Sequence, residues 1–374
     1  MNNLKHKVEN IIANEGNTPF FSFGSFLFVI SLLYGSSMKL REKFYKKGIF
    51  RSEKLPCTVI SIGNITAGGT GKTPMAIYVA KLATRLGYKT AIVSRGYKGG
   101  AEKTGGVVSN GKTICMSPDM AGDEPFMMAS CLKDVPVVVG QNRFKAGMSA
   151  VKEFSPDVIV LDDAFQHLRV KRDIDLVLLD SSKPFGNNHL LPRGLLRELV
   201  SSLLRGDAYI MTRSDSAGQG SFSKVREIAQ GKPVFSCFHV PFLSGIVKKN
   251  NSADLKQGYT VSQSEYNTEF LQGRRVVAFS GIAKNDDFRR TVDSFKCNQL
   301  NFMEFPDHYK YSDDDLQNIL NSAKHAKADY ILTTEKDYVR IAHRLSWPVD
   351  LAVIGIEISF GEDDFSRFVE NRLR

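Results

Sequence analysis

The sequence predicts an α/β fold with a parallel sheet covered by helices on both faces, followed by a smaller C-terminal α/β domain. Three observations carry the prediction. Short valine- and isoleucine-rich runs alternate with amphipathic stretches from Cys57 onward. A glycine-rich loop, TAGGTGKT, falls between one such run and one such stretch. The most apolar run in the chain, PFFSFGSFLFVISLLY (Pro19–Tyr34), precedes both and adds a hydrophobic N-terminal helix.

Residues 1–54 form the first region. At about 1.5 Å per residue the apolar run makes a helix of roughly 24 Å, short of the ~30 Å hydrocarbon core of a bilayer. Gly24, Ser22, Ser25 and Ser31 dilute it further. Lys39, Arg41, Lys43, Lys46, Lys47, Arg51 and Lys54 follow, interleaved with Phe44, Tyr45, Ile49 and Phe50. An apolar helix next to cations and aromatics fits a membrane-associated helix set into one leaflet, its bases on an anionic membrane surface. A helix buried against the domain is the alternative, and the sequence leaves it open. Mixed charges ahead of the run, with no small-x-small site after it, argue against a cleaved signal peptide.

Residues 55–215 carry the main sheet. CTVISIGN, KTAIVS, PVVVG, DVIVLDD, DIDLVLLD and DAYIMT read as buried strands, and PMAIYVAKLATRLG as an amphipathic helix ending at Gly87. Near-continuous apolar strands separated by helices are the mark of a parallel sheet buried on both sides. Over 216–272 the pattern loosens into polar residues, with short strands at PVFSCFHV and SGIVKK. This is read as a connecting segment built around a β-ribbon. Residues 273–374 resume the alternation with RRVVAFSGI, DDFRRTVDSF, QLNFMEF, DDDLQNILNSAKH, ADYILTTEKD and DLAVIGIEI, enough for a smaller α/β domain.

Composition sets limits on function. The 374 residues are 42% hydrophobic and 24% charged, ample for folded cores and unlike a disordered chain. No internal repeat argues for a solenoid. Five cysteines, none at metal-ligand spacing, fit neither a disulfide scaffold nor a zinc module. A formal net charge of +10 favours anionic partners without choosing among nucleotide, nucleic acid, lipid and phosphorylated substrate.

The loop Thr66, Ala67, Gly68, Gly69, Thr70, Gly71, Lys72, Thr73 matches the second half of the phosphate-binding pattern. Thr66 replaces its leading glycine. The strand before it and the helix after it supply the context the chemistry requires. Glycines let backbone N–H groups turn inward, and the helix N-terminus adds partial positive charge. Lys72 can reach the β- and γ-phosphates, and the Thr73 hydroxyl can meet Mg²⁺. Pro74 sits in the first helical turn, where no N–H is needed. The main domain is therefore P-loop NTPase-like.

Asp162 and Asp163 close the apolar run VIVL, the position of acids that hold Mg²⁺ in P-loop enzymes. Asp123 and Glu124, in AGDEP, admit two readings: an N-cap with Pro125 opening a helix, or a carboxylate that orients a hydroxyl and accepts its proton. His308, in FPDHY, is a lone histidine that is either structural or catalytic.

In order along the chain, GN-x-TAGGTGKTP (Gly63–Pro74), SRGY (Ser94–Tyr97), GDEP (Gly122–Pro125) and DDAFQH (Asp162–His167) are followed by LLPRGLLRE (Leu190–Glu198), PDHY (Pro306–Tyr309) and TTEKD (Thr333–Asp337). With the hydrophobic N-terminus and LREKFY (Leu40–Tyr45), the set resembles the tetraacyldisaccharide 4′-kinase (lipid A 4′-kinase) family over nearly the whole chain. Two departures are local. Residues 1–18 precede the hydrophobic run without an assigned role, and GIAKNDDF (Gly281–Phe288) lacks a proline after its Gly-Ile start.

The resemblance implies transfer of the ATP γ-phosphate to the 4′-hydroxyl of a tetraacylated glucosamine disaccharide 1-phosphate. It also implies Mg²⁺, the cytoplasmic face of the bacterial inner membrane, and no nucleic-acid partner. It makes Asp123 the base, paired with His308 across two domains, with Lys72 on the transferred phosphate. Thr73, Glu124, Asp162 and Asp163 fall near the metal, and Tyr97, Arg143, Gln166 and His167 near nucleotide or substrate. Arg197 and Glu198 match a lid over ATP. Thr333–Asp337, after a buried strand, are read as organising the second domain only. Two rivals stay open: a P-loop kinase of a soluble small molecule, and a P-loop switch ATPase.

Overall fold

The computed structural model describes residues 8, 11–12, 22–214, 219–248, 268–341, 347 and 349–374. Pro19–Phe21 of the apolar run, residues 249–267 of the connecting segment, and residues 1–18 apart from 8, 11 and 12 lie outside them. The strands are β1 Thr58–Asn64, β2 Thr90–Ser94, β3 Gly106–Ser109, β4 Val137–Val139, β5 Val158–Leu161 and β6 Ile174–Asp180. They continue as β7 Ala208–Thr212, β8 Val234–Val247, β9 Arg275–Ser280, β10 Asn298–Glu304, β11 Tyr330–Thr334 and β12 Asp350–Phe360. The chain divides into two compact units. One comprises Met1–Thr90, Arg143–His239 and Ile358–Arg374; the other comprises Ala91–Asn142 and Val240–Glu357.

In the first unit β5, β1, β6, β7 and the start of β8 lie side by side, all parallel. Every residue of β6 is buried, which is why Leu176–Leu179 between its two acids is apolar without alternation. The helix Lys72–Arg85 packs on β1 and β5. The final helix, Asp364–Leu373, belongs here as well. Phe365 stacks on Phe360 at 4.2 Å and meets Phe235 edge-on at 5.3 Å.

The N-terminal helix runs Phe23–Lys46, opened by Ser22, whose hydroxyl accepts from the Ser25 N–H. It continues through Lys39, Arg41 and Lys43, so the first bases of the basic stretch lie on the same helix as the apolar run. Its buried positions are Gly24, Leu27, Ser31 and Gly35, three and four residues apart and so on one face. Small residues let that face approach closely: a Cβ on Gly35 would lie 2.6 Å from Leu190 Cδ1. Phe26, Val29, Leu32 and Leu33 are instead more than half exposed. The Tyr34 hydroxyl donates to the Arg197 carbonyl (2.8 Å), and Arg41 Nη2 to the Gln166 carbonyl (2.8 Å).

In the second unit β2 and β4 pair parallel, with β3 antiparallel on β4. β10, β9, β11 and β12 form a parallel series, beside which the later part of β8 lies. The stretches PVFSCFHV and SGIVKK thus contribute Val234–Val240 and Ser244–Val247 to one strand, since Pro241 does not interrupt β8. The core gathers Phe279, Tyr311, Leu316, Ile319, Trp347 and Val353. TTEKD ends one element and begins another: after β11, Glu335–Ile341 is a short helix of its own.

Candidate active site

The phosphate loop is built by its neighbours in the first unit. β1 delivers Asn64, whose Nδ2 donates to Thr70 Oγ1 (2.9 Å) in a buried contact. Gly71 caps the next helix at φ 83°, a left-handed conformation open to glycine at little cost. Gly68, at φ 115°, has the same need. Thr66 bridges to Leu196, and Ala67 N–H donates to the Leu195 carbonyl (2.7 Å), so residues from LLPRGLLRE form one wall of the loop. Arg213 supports the other side, bonding the Gly69 carbonyl through Nη2 and Asp180 through Nη1, both at 2.7 Å.

Asp163 Oδ1 lies 3.8 Å from Lys72 Nζ, and its two oxygens accept from Arg197 Nη1 at 2.9 and 3.0 Å. Burial pushes this carboxyl up, but the Lys72 and Arg197 charges outweigh it and hold it below the usual range. Asp163 also takes a left-handed backbone, φ 46°. Asp162 is buried, and Arg143 Nη2 donates to its carbonyl at 3.4 Å. Gly63 brings the acids close to the loop: a Cβ there would lie 2.5 Å from Phe165 Cβ and 2.7 Å from Phe165 N. Among the described residues no three His, Cys, Asp or Glu side chains form a cation cage. Mg²⁺ bound with phosphates needs only one or two carboxylates plus water, so a hydroxyl at Thr73 and two acids at 162 and 163 fit that ion.

The second unit brings Asp123 and His308 together. Asp123 opens the helix Asp123–Cys131, but the N-cap is Gly122 at φ 86°, without a side-chain cap bond. The Asp123 carboxylate is turned instead to His308, whose Nδ1 lies 3.0 Å from Oδ2. Arg340 donates to the same oxygen from Nε (2.8 Å) and Nη2 (2.6 Å). Burial alone would raise this carboxyl; the His308 and Arg340 hydrogen bonds and charges bring it down to about 2. Lys336 Nζ lies 3.2 Å from His308 Nε2. Arg340 Nη2 lies 3.4 Å from Nδ1, but an ionised carboxylate only accepts, so the closer Nδ1 contact is a donation to Asp123. Lys336 also bonds Asp307 Oδ1 (3.1 Å) and Glu124 Oε1 (3.3 Å). His308 itself takes φ 57°, in the turn closed by Tyr309 N–H on the Pro306 carbonyl. Such outliers persist where their surroundings over-determine them.

The remaining candidates sort plainly. Tyr97 is half exposed and meets the His308 ring edge-on at 5.6 Å. Arg143 is buried, and so is no surface cation. Gln166 Nε2 donates to the Asn64 carbonyl (2.8 Å), and His167 lies in a tight turn on Ala164. Glu198 is buried against Arg205. Sequence reasoning missed Lys336 and Arg340. Their signal was present: two cations four residues apart, on the helix after a buried strand, share a face.

The sequence model of the family described as tetraacyldisaccharide-1-P 4′-kinase (LpxK) matches residues 23–374. A tetraacyldisaccharide 4′-kinase of Desulfatibacillum aliphaticivorans is 41% identical, over 100% of this chain and 99% of its own length. Another, of Syntrophus aciditrophicus (strain SB), is 39% identical over 90% of this chain and 89% of its own. The crystal structure of LpxK from Aquifex aeolicus in complex with ATP is similar with a TM-score of 0.74 at 30% identity, covering 94% of this chain and 99% of that one.

Proposed function

This chain belongs to the tetraacyldisaccharide-1-P 4′-kinase family, and from that premise we propose how its residues perform ATP-dependent 4′-phosphorylation in lipid A biosynthesis. The loop 66–73 cradles the ATP phosphates, with Lys72 on the transferred group. Thr73, Asp162 and Asp163 would hold Mg²⁺, which would supply charge neutralisation on the phosphates. Glu124, paired with Lys336 within its own unit, is proposed as a further acid of that set. Arg197 and Glu198 belong to the nucleotide side, while Tyr97, Arg143, Gln166 and His167 serve substrate and nucleotide placement.

The acceptor is the 4′-hydroxyl of a tetraacylated glucosamine disaccharide 1-phosphate, its acyl chains still in the leaflet. As its oxygen bonds to the γ-phosphorus, the bond to the β–γ bridging oxygen breaks, ADP leaves, and the hydroxyl proton passes to Asp123. A carboxyl held near 2 is a weak base at equilibrium. Phosphoryl transfer through a loose transition state needs no strong base, only an oriented acceptor that takes the proton late. The observation supporting this role is that, among the described residues, the hydrogen bonds to Asp123 fall on Oδ2, leaving Oδ1 for the incoming hydroxyl.

The enzyme sits at the cytoplasmic face of the bacterial inner membrane, on the helix Phe23–Lys46. This helix is long and apolar enough to enter a bilayer and presents its large apolar side chains outward. The test is incubation with labelled ATP and the tetraacyl disaccharide 1-phosphate in mixed micelles, followed by location of the new phosphate. Label on the 4′-oxygen is expected. ATP hydrolysis without a lipid product would replace this reading with a switch ATPase. Phosphorylation of a soluble acceptor, indifferent to micelles, would replace it with a soluble-substrate kinase.

A further inference from the structure

Arg340 has no part in the mechanism so far, yet it makes the closest contacts to the proposed base. Its guanidinium is built into the second unit from behind. Nη1 donates to Asp337 Oδ1 (3.1 Å) and to the Gly281 carbonyl (3.3 Å), while Nε and Nη2 converge on Asp123 Oδ2. Asp337 is fully buried and fixed by further donors: Gly281 N–H (3.0 Å), the Thr334 hydroxyl (2.7 Å) and the Tyr311 hydroxyl (2.9 Å). Gly281 is needed at that contact, because a Cβ there would lie 3.0 Å from both Asp337 Oδ1 and the Tyr311 hydroxyl. The result is a rigid column from the β9 and β11 ends, through Asp337 and Arg340, to Asp123.

We infer that Arg340, held by Asp337, is a positioning residue that fixes the rotamer of Asp123 so that Oδ1 meets the acceptor hydroxyl. The inference rests on the reading of Asp123 as the group receiving that hydroxyl's proton. Three physical points support it. The planar fork of arginine restrains a carboxylate's rotation as a single point charge does not. With Oδ2 taking Nε, Nη2 and His308 Nδ1, a turn about the carboxyl axis would break several charge-assisted bonds at once. His308 alone offers one bond, and its other nitrogen is engaged by Lys336. The other charged groups around the pair, Glu124 and Asp307, face Lys336 rather than Arg340.

The test is a double-mutant cycle on the full-length enzyme with the lipid acceptor, using D123N, R340M and the pair, with melting temperatures recorded for each. R340M is expected to lower kcat about 100-fold, the scale of an ångström-level misplacement, with the KM for ATP within about twofold of wild type, the pattern of an interaction made in the transition state. In the D123N background the same substitution is expected to change kcat less than about threefold, because residues acting as a unit are not additive. R340K, which keeps the charge but loses the fork, is expected to recover only part of the loss, and it carries the same cycle should R340M unfold. If R340M costs as much in D123N as in wild type, the inference falls while the role of Asp123 stands. If D123N turns over normally, that role falls and the inference with it. Full activity in folded R340M, or full recovery by R340K, would also overturn the positioning role.

Discussion

His308 Nδ1 lies 3.0 Å from Asp123 Oδ2, joining residues 185 positions apart in the chain. A carboxylate only accepts, so Nδ1 donates to it, and in the proposed mechanism the imidazole orients the carboxylate. Asp123→Ala is therefore expected to lower kcat by about 10³-fold or more, with little change in ATP affinity. His308→Ala, which leaves the Arg340 contacts to Asp123 in place, is expected to cost about 10–100-fold, less than loss of the proposed base. Steady-state kinetics and calorimetric ATP titrations check both. Equal losses would show that the histidine does more than orient.

The acids at 162 and 163 give a second expectation. Chelation of divalent cations should abolish turnover, and added Mg²⁺ should restore it. Asp163→Asn should raise the Mg²⁺ concentration needed for half-maximal rate about tenfold or more. An unchanged Mg²⁺ dependence in both Asp162→Asn and Asp163→Asn would remove these residues from the metal set.

Gly63 admits no side chain without moving the Phe165 backbone. Gly63→Ala is expected to destabilise the protein by about 1–3 kcal/mol, the usual range for overpacking, read as a lower melting temperature. Gly220, where an added Cβ meets nothing within 4 Å, is the control. Alanine there should be neutral or slightly stabilising.

Ser312 and Asp315 form a capping box at the start of the helix Asp313–His325. The Ser312 hydroxyl and N–H donate to Asp315 and hold its carboxyl below the ordinary range. Its contribution is complete above the unfolded carboxylate pKa and is lost as pH falls through the lower folded value. Ser312→Ala should cost about 1 kcal/mol at neutral pH, and Asp315→Asn should flatten the acid side of the stability profile. Denaturant titrations across pH measure both effects.

The exposed apolar face of the N-terminal helix yields a last expectation. Phe26→Glu with Leu33→Glu should reduce binding to anionic vesicles about tenfold or more, while the melting temperature in detergent-free buffer stays the same or rises. Unchanged vesicle flotation would assign that face to something other than lipid.

The alternation of buried strands and helices was legible because its signals are local: β1 and β6 are rich in isoleucine, valine and leucine, and the P-loop declares itself by glycines between strand and helix. The continuity of β8 was not, because Pro241 and the polar residues around it look like a break in isolation. Membership of the units was equally hidden. That Ala91–Asn142 packs with Val240–Glu357 depends on contacts such as Cys131 with Glu335, which no periodicity records. The same holds for the site. Asp123 and His308 were singled out by their motifs, whereas Arg340 carries no motif and shows its role only when the helix Glu335–Ile341 turns it toward Asp123.

One bond described for the N-terminal helix reaches beyond anchorage. The Tyr34 hydroxyl holds the carbonyl of Arg197, and the guanidinium of that same arginine holds Asp163 beside Lys72. Two side chains therefore separate the greasy exterior of the molecule from its phosphate chemistry. Removing the helix would take away a strut of Arg197 along with an exposed apolar face.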